Sequence, residues 1–151
     1  MAERRPQAVL FACGWNAVRS PMAAALFKHF IGPGTYVESV GVRKDDLDPF
    51  AVAALEEIGI DIARHKPHTF EELEDMEGLN FDLIVTLSPE AHHKALDVTR
   101  VVAADVEYWP MPDATATEGS REQKLEGYRA VRDMLATRIK QRFGWRRGGN
   151  E

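Results

Sequence analysis

Short apolar runs alternate along the chain with amphipathic segments, and this alternation predicts strands and helices in turn. The runs that predict strands cover residues 8–12, 36–40, 81–87 and 101–106. Helices are predicted to begin at Ser20-Pro21, Asp48-Pro49 and Ser88-Pro89, because each pair combines an N-capping side chain with a proline suited to the first helical position. A short acidic helix is expected over residues 70–76, and a last helix carries apolar residues at helical spacing from Leu125 to Phe143.

Strands that alternate with helices predict an α/β fold, a three-layer sandwich in which helices cover both faces of a four-stranded parallel sheet. Sites in such folds lie beyond the carboxyl ends of the strands, at the point where the strand order reverses. Cys13 directly follows the first predicted strand. The pattern therefore places this cysteine where chemistry is expected.

The size and charge of the chain narrow the class of protein. Its 151 residues correspond to a single domain, and we expect residues 1–6 and 145–151 to be frayed. The net charge of −5 argues against a nucleic-acid partner. The chain has neither the ~20-residue apolar stretch that crosses a bilayer nor the apolar run of a signal peptide, so we expect a cytoplasmic protein with no membrane partner.

Cys13 is the only cysteine of the chain, which excludes an internal disulfide and every metal site that needs several cysteines. His92 and His93 are adjacent in the sequence, and adjacent residues do not share a face of a helix. No metal ion and no cofactor is therefore expected.

The segment from Cys13 to Ser20 predicts a loop that binds an oxyanion beside a nucleophile. Between Cys13 and Arg19 lie Gly14, Trp15, Asn16, Ala17 and Val18. Backbone N–H groups of this loop can form a nest for an anion, and the dipole of the following helix adds to the positive field. Arg19 supplies a planar donor for two oxygens of the anion. The same field favours the thiolate of Cys13, to which Ser20 can donate, and Asn16 tolerates a left-handed backbone.

These residues resemble the signature of the low-molecular-weight protein tyrosine phosphatases and the related phosphatase-fold arsenate reductases. The resemblance rests on the strand ending at Cys13, on Asn16, and on Arg19-Ser20-Pro21-Met22-Ala23. Ser39-Val40-Gly41 stands where the family has Ser-Ala-Gly, and Asp48-Pro49, His65 and residues 81–84 follow in order. The resemblance covers nearly the whole chain and implies a flavodoxin-like fold, with Cys13 as nucleophile and Arg19 as the clamp on the oxyanion.

The resemblance also implies a general acid, an aspartate on the loop after the fourth strand. Asp113 occupies that place, although Ala114 follows it where the family usually has proline. Val18 stands where many family phosphatases carry a second cysteine beside the nucleophile.

The family often places an aromatic residue after the segment that corresponds to Ser39-Val40-Gly41, and this chain has none there. Trp15, or Tyr108 and Trp109, are candidates to line the pocket in its place. Ordinary packing is the alternative for each of them.

We interpret the sequence first as a phosphomonoesterase that hydrolyses aryl phosphates, with protein phosphotyrosine as the expected substrate. Cys13 would attack phosphorus to form a cysteinyl-phosphate, and Asp113 would protonate the leaving group. The expected partners are accordingly a phosphorylated protein or a small aryl phosphate, with inorganic phosphate or a similar oxyanion in the loop.

The alternative interpretation is arsenate reduction, because arsenate has nearly the same tetrahedral shape as phosphate. Thioredoxin-coupled relatives place resolving cysteines near the position of Ser88, and this chain has no second cysteine. A reductase of this sequence would therefore need an external small thiol. A third interpretation is a non-catalytic module that binds an oxyanion or a phosphoprotein.

Overall fold

The computed structural model describes residues 6–144, so most of the two segments that we expect to be frayed lies outside the described residues. The strands are β1 (Ala8–Cys13), β2 (Tyr36–Gly41), β3 (Leu83–Thr86) and β4 (Asp105–Tyr108). The helices are α1 (Arg19–Ile31), α2 (Pro49–Glu56), α3 (Phe70–Glu77), α4 (Pro89–Val98) and α5 (Arg121–Phe143). A 3-10 turn at Ala114–Ala116 lies between β4 and α5.

The four strands form one parallel sheet in the order β2-β1-β3-β4, which confirms the predicted α/β fold. Successive side chains of a strand point to opposite faces, so β1 contributes to two cores. Val9 and Phe11 pack with α1, α2 and α5 on one face. Leu10 and Ala12 pack with α3 and α4 on the other face. Because β1 lies between β2 and β3, its carboxyl end is where the strand order reverses.

Two of the three predicted capping pairs act as expected. The Asp48 carboxylate accepts from the backbone N–H of Phe50 at 2.8 Å, and the Ser88 hydroxyl accepts from that of Ala91 at 3.2 Å. The prediction for Ser20 is wrong, because α1 begins at Arg19 and no side chain caps it. The hydroxyl of Ser20 is fully buried and bonds to groups of the site instead.

The last strand lies further along the chain than its apolar run predicts. β4 covers Asp105–Tyr108, whereas Val101 is 81% exposed in the turn after α4. As the edge strand of the sheet, β4 is only partly buried, so its own sequence has no continuous apolar run.

Among residues 6–144, no helix combines the length and the apolar character needed to cross a membrane. The longest helix, α5, packs an apolar stripe against α1 and α2 and carries charged residues elsewhere along its surface.

Candidate active site

A cleft of about 780 Å³ opens at the carboxyl end of β1. Cys13 lies at its base and is only 2% exposed. Arg19 and Asp113 also line the cleft, so the structure brings together three of the predicted site residues.

Hydrogen bonds from the chain after β2 orient the backbone of the loop between β1 and α1. Four backbone N–H groups donate to loop carbonyls: Val42 to Cys13 at 3.1 Å, Arg43 to Gly14 at 2.8 Å, Asp45 to Trp15 at 3.2 Å and Asp48 to Ala17 at 3.1 Å. In a planar trans peptide, the C=O and the following N–H point in opposite directions. The N–H groups of Gly14, Trp15, Asn16 and Val18 therefore point into the loop, where they can form the expected nest.

Close contact between the loop and the end of β2 requires glycine at position 41. A Cβ atom on Gly41 would lie 2.7 Å from the backbone nitrogen of Asn16 and 2.2 Å from the carbonyl oxygen of Arg43. These two close contacts explain why the Ser39-Val40-Gly41 segment ends in glycine.

Asn16 fixes the loop from inside. Its backbone has φ 55°, in the left-handed region, and its side chain is fully buried. The backbone N–H of His68 donates to Oδ1 at 2.9 Å, which settles the orientation of the amide. Nδ2 then donates to the hydroxyls of Ser20 at 2.8 Å and Ser39 at 3.0 Å.

His65 completes this set of contacts, although the sequence pattern indicates no specific role for it. Its Nε2 lies 3.0 Å from Asn16 Oδ1 and must carry the hydrogen, because Oδ1 only accepts. Burial lowers the pKa of His65 to about 4, with further lowering by His68 and Lys28. The imidazole is therefore neutral near neutral pH. Nothing in local spacing marks His65, since the contact joins residues 49 positions apart.

Ser20 links Asn16 to the cysteine. Its hydroxyl oxygen lies 3.0 Å from the Sγ of Cys13 and 3.2 Å from the carbonyl oxygen of Val40. Because Asn16 already donates to this oxygen, the single hydroxyl hydrogen is left for Sγ or for Val40. A thiolate at Cys13 would attract that hydrogen, which stabilises the charged form.

Arg19 joins the loop to the segment that carries Asp113. Its Nη1 donates to the backbone carbonyl of Met111 at 3.0 Å. Asp113 accepts from the hydroxyl of Thr115 at 2.6 Å and from its backbone N–H at 3.0 Å. These bonds from Thr115, together with the charge of Arg19, lower the pKa of Asp113 despite some opposing desolvation.

The lowered pKa keeps the Asp113 carboxylate ionised near neutral pH, and its role as general acid stays a prediction. Its neighbour Ala114 is buried and begins the 3-10 turn that Asp113 caps. Proline is well tolerated at the first position of such a turn. Alanine thus keeps the local geometry that the usual Asp-Pro pair would give.

Of the three candidate aromatic residues, only Trp15 lines the cleft. Trp109 is buried in the core, with its ring centroid 6.1 Å from that of Phe11. Tyr108 stacks on His92 at 4.6 Å. In the described part of the chain, no group of three or more His, Cys, Asp or Glu side chains is arranged to hold a metal ion.

Phe50 and Tyr128 form a second wall of the cleft, with stacked rings 5.2 Å apart. The Tyr128 hydroxyl donates to Asp48 at 2.6 Å, and burial together with this bond raises the pKa of Tyr128. Asp48 therefore caps α2 and anchors α5 at the same time.

Val18 and Ser88 occupy the positions from which a second thiol is expected in some relatives. Val18 is buried at the N-terminus of α1, and Ser88 caps α4. Neither side chain can form a disulfide with Cys13.

Comparison with known proteins finds relatives over most of the chain. The family described as low molecular weight phosphotyrosine protein phosphatase matches residues 8–144. An arsenate reductase of Bacillus subtilis (strain 168) is 33% identical over 134 residues, which covers 88% of this chain and 92% of the relative. An arsenate reductase of Halalkalibacterium halodurans is 36% identical over 135 residues and covers 87% and 91% of the two chains.

Solved structures of arsenate reductases also superimpose on this chain, as do structures of phosphatases. The crystal structure of an arsenate reductase from Archaeoglobus fulgidus superimposes with a TM-score of 0.67, at 30% identity, over 90% of this chain and 98% of that one. An arsenate reductase solved in a phosphate binding state has a TM-score of 0.64 at 28% identity and covers 89% and 95% of the two chains.

Proposed function

Because this chain belongs to the low molecular weight phosphotyrosine protein phosphatase family, we propose that it reduces arsenate with electrons from an external small thiol. The chain is an enzyme of this family, and the proposal concerns which reaction it catalyses. It rests above all on the combination of a loop suited to an oxyanion with a single cysteine, in a chain whose relatives are named arsenate reductases.

Our first interpretation, a phosphomonoesterase acting on phosphotyrosine, is wrong. Relatives at 33% and 36% identity, each covered over about nine-tenths of its length, are arsenate reductases. The family name describes the fold and the loop, whereas these relatives support the alternative reaction.

The loop suits arsenate for geometric reasons. Four inward N–H groups can donate to the oxygens of a tetrahedral anion, and the N-terminus of α1 adds its dipole. Arg19 can bind two oxygens at once through its planar guanidinium. A related arsenate reductase has been solved in a phosphate binding state, which supports binding of a tetrahedral oxyanion by this fold.

The first chemical step joins arsenic to the cysteine. The Cys13 thiol and H₂AsO₄⁻ give a Cys13–S–AsO₃H⁻ adduct and one water molecule, and arsenic stays in the +5 state. Ser20 and the nest stabilise the attacking thiolate and the charge of the oxyanion. Cys13 is thus the proposed nucleophile, and Ser20 stabilises its charged form.

The second step reduces arsenic. An external thiol RSH forms a disulfide with the sulfur of Cys13 while the sulfur–arsenic bond breaks, which gives Cys13–S–S–R and H₂AsO₃⁻. The bonding electron pair moves to arsenic, which becomes +3, and both sulfurs are oxidised. The ionised carboxylate of Asp113 lines the same cleft and can take the thiol proton and pass it to the departing arsenite.

A second RSH then restores the Cys13 thiol and releases RSSR. The overall reaction consumes two thiols for each arsenite formed. Since the chain has no other cysteine, both must come from outside.

The test uses fully reduced, desalted protein with arsenate, in the presence and absence of a small thiol. We expect arsenite to form only when the thiol is present, with one RSSR for each arsenite. Cys13→Ser should abolish this formation, and Asp75→Asn, at an exposed position of α3 away from the cleft, serves as a folded control. Failure to form arsenite above the thiol-only background would refute the proposal.

A further inference from the structure

The cleft is much larger than the oxyanion that we assign to its base. Its volume of about 780 Å³ lies in the range of sites for whole organic molecules. An arsenate ion has only five heavy atoms, so most of the cleft stays open above it. The free part leads from solvent toward Cys13, which is 2% exposed and lines the same cleft.

This outer part of the cleft is rich in carboxylates. Asp45, Asp46, Asp113 and Glu118 are exposed along it, and Asp48 is half-buried. The positive charges of the lining are Arg19 and Lys124, and the guanidinium groups of Arg43 and Arg121 lie over the lining rings of Trp15 and Phe50. Arg19 is engaged by the oxyanion and Arg43 is paired with Glu90. The lining carboxylates therefore outnumber Lys124 and Arg121, and an anionic molecule entering the outer cleft would be repelled.

The aromatic wall of the cleft also suits a cation. Trp15 is 47% exposed and lines the cleft, and the guanidinium of Arg43 lies 4.6 Å from its ring centroid. Arg43 is itself held by Glu90 at 2.5 Å, which fixes the orientation of the indole. The contact with Arg43 shows that this indole accepts a cation against its ring.

Resting on the proposed function, we infer that the outer cleft between Trp15, Asp46 and Glu118 binds the reducing thiol. We infer further that it selects a small thiol with a cationic amine over one with an anionic group. The reaction itself is unchanged: the sulfur of this thiol forms the disulfide with Cys13, arsenic takes the electron pair, and the thiol proton leaves with arsenite.

The experiment measures kcat/KM for three thiols of similar size at saturating arsenate, with arsenite as the product detected. Cysteamine is cationic, 2-mercaptoethanol is neutral and 3-mercaptopropionate is anionic. Each value is divided by the rate of the same thiol with an uncharged disulfide, which removes differences in intrinsic reactivity. We expect cysteamine to exceed 3-mercaptopropionate by about tenfold, with 2-mercaptoethanol between them.

Two perturbations test the origin of this preference. Salt at about 0.5 M should reduce the ratio markedly, because exposed charges are screened. The double substitution Asp46→Asn with Glu118→Gln should bring the ratio toward one. Asp75→Asn removes a charge from the exposed face of α3, away from the cleft, and should leave the ratio unchanged.

The possible outcomes separate this inference from the proposed function. If none of the three thiols supports arsenite formation, the proposed function itself fails. If all three support it at equal corrected rates, or if the anionic thiol is preferred, arsenate reduction stands and the inference is overturned. A preference that survives both salt and the double substitution also overturns it, because the carboxylates would not be its source.

Discussion

Replacing Asn16 should loosen the loop that holds Cys13, by an amount that the structure allows us to estimate. The side chain makes four hydrogen bonds, with Ser20, Ser39, His65 and the backbone of His68, and it is fully buried. At about 1 kcal/mol for each bond, Asn16→Ala loses about 4 kcal/mol. Alanine in the left-handed backbone at φ 55° adds about 1 kcal/mol.

Asn16→Gly separates these two contributions. Glycine also loses the four bonds, but it adopts the left-handed backbone without strain. We therefore expect Asn16→Gly to be more stable than Asn16→Ala by about 1 kcal/mol, although both are far less stable than the unchanged protein.

Urea unfolding of the two variants gives the free energies directly, with m-values compared to verify two-state behaviour. Asn80→Ala, at an exposed position, is the matched control and should change stability by less than about 0.5 kcal/mol. A loss below about 1 kcal/mol in Asn16→Ala would refute the reasoning, because the four buried bonds would then contribute almost nothing.

Three further predictions concern the site. Cys13→Ser should lose arsenite formation yet keep oxyanion binding by calorimetry, since the nest and Arg19 remain; loss of binding as well would show that the thiol itself holds the anion. Arg19→Lys should weaken that binding, because an ammonium cannot form the bidentate contact; unchanged affinity would remove Arg19 from the anion site. The lowered pKa of His65, about 4, means that folding favours its neutral form, so stability should be complete above its unfolded pKa of about 6.5 and fall as pH drops toward 4. The expected loss is about 1–2 kcal/mol after allowing for partial exposure, and it is measured by urea unfolding at about pH 7 and pH 5; His65→Gln should show a smaller pH dependence, and an equal one would contradict the assignment.

The sequence predicts the fold well where local and tertiary signals agree. The run ending at Cys13 forms a strand buried on both faces, and Asp48 caps α2 as its spacing with Pro49 indicates. Ser20 has the same local signal but does not act as a cap, because Asn16 and Cys13 offer its hydroxyl buried partners across the loop. A local capping pattern cannot show that buried side chains elsewhere in the loop compete for the hydroxyl of the capping residue.

The candidate site is likewise predicted correctly where the signal is local and missed where the contacts are long-range. Five residues separate Cys13 from Arg19, and that spacing predicts their shared loop correctly. The residues that hold the loop in place act over long sequence separations, such as His65 on Asn16 and Arg43 on the carbonyl of Gly14. No periodicity or local motif encodes these contacts, and only the assembled sheet brings them together.

The sequence does not distinguish the two reactions, because the loop binds any tetrahedral oxyanion of suitable size. Phosphate and arsenate are both tetrahedral, and the same amides and the same guanidinium bind either of them. Asp113 favoured ester hydrolysis only through its position after the fourth strand, and a carboxylate at that position can move a proton in either reaction.

What distinguishes the two chemistries is the fate of the adduct on Cys13. A phosphorus adduct needs water and a proton donor, whereas an arsenic adduct needs two electrons from sulfur. In the reaction that we propose for this chain with one cysteine, the first electron pair arrives along the cleft, past Trp15 and the carboxylates that line it. The rate of that reaction would depend on which thiol can enter, and Asp46 and Glu118, to which we assign this choice, lie outside the loop by which the family is identified. Variation at Asp46 and Glu118 should alter the choice of thiol while the affinity of the loop for arsenate stays the same.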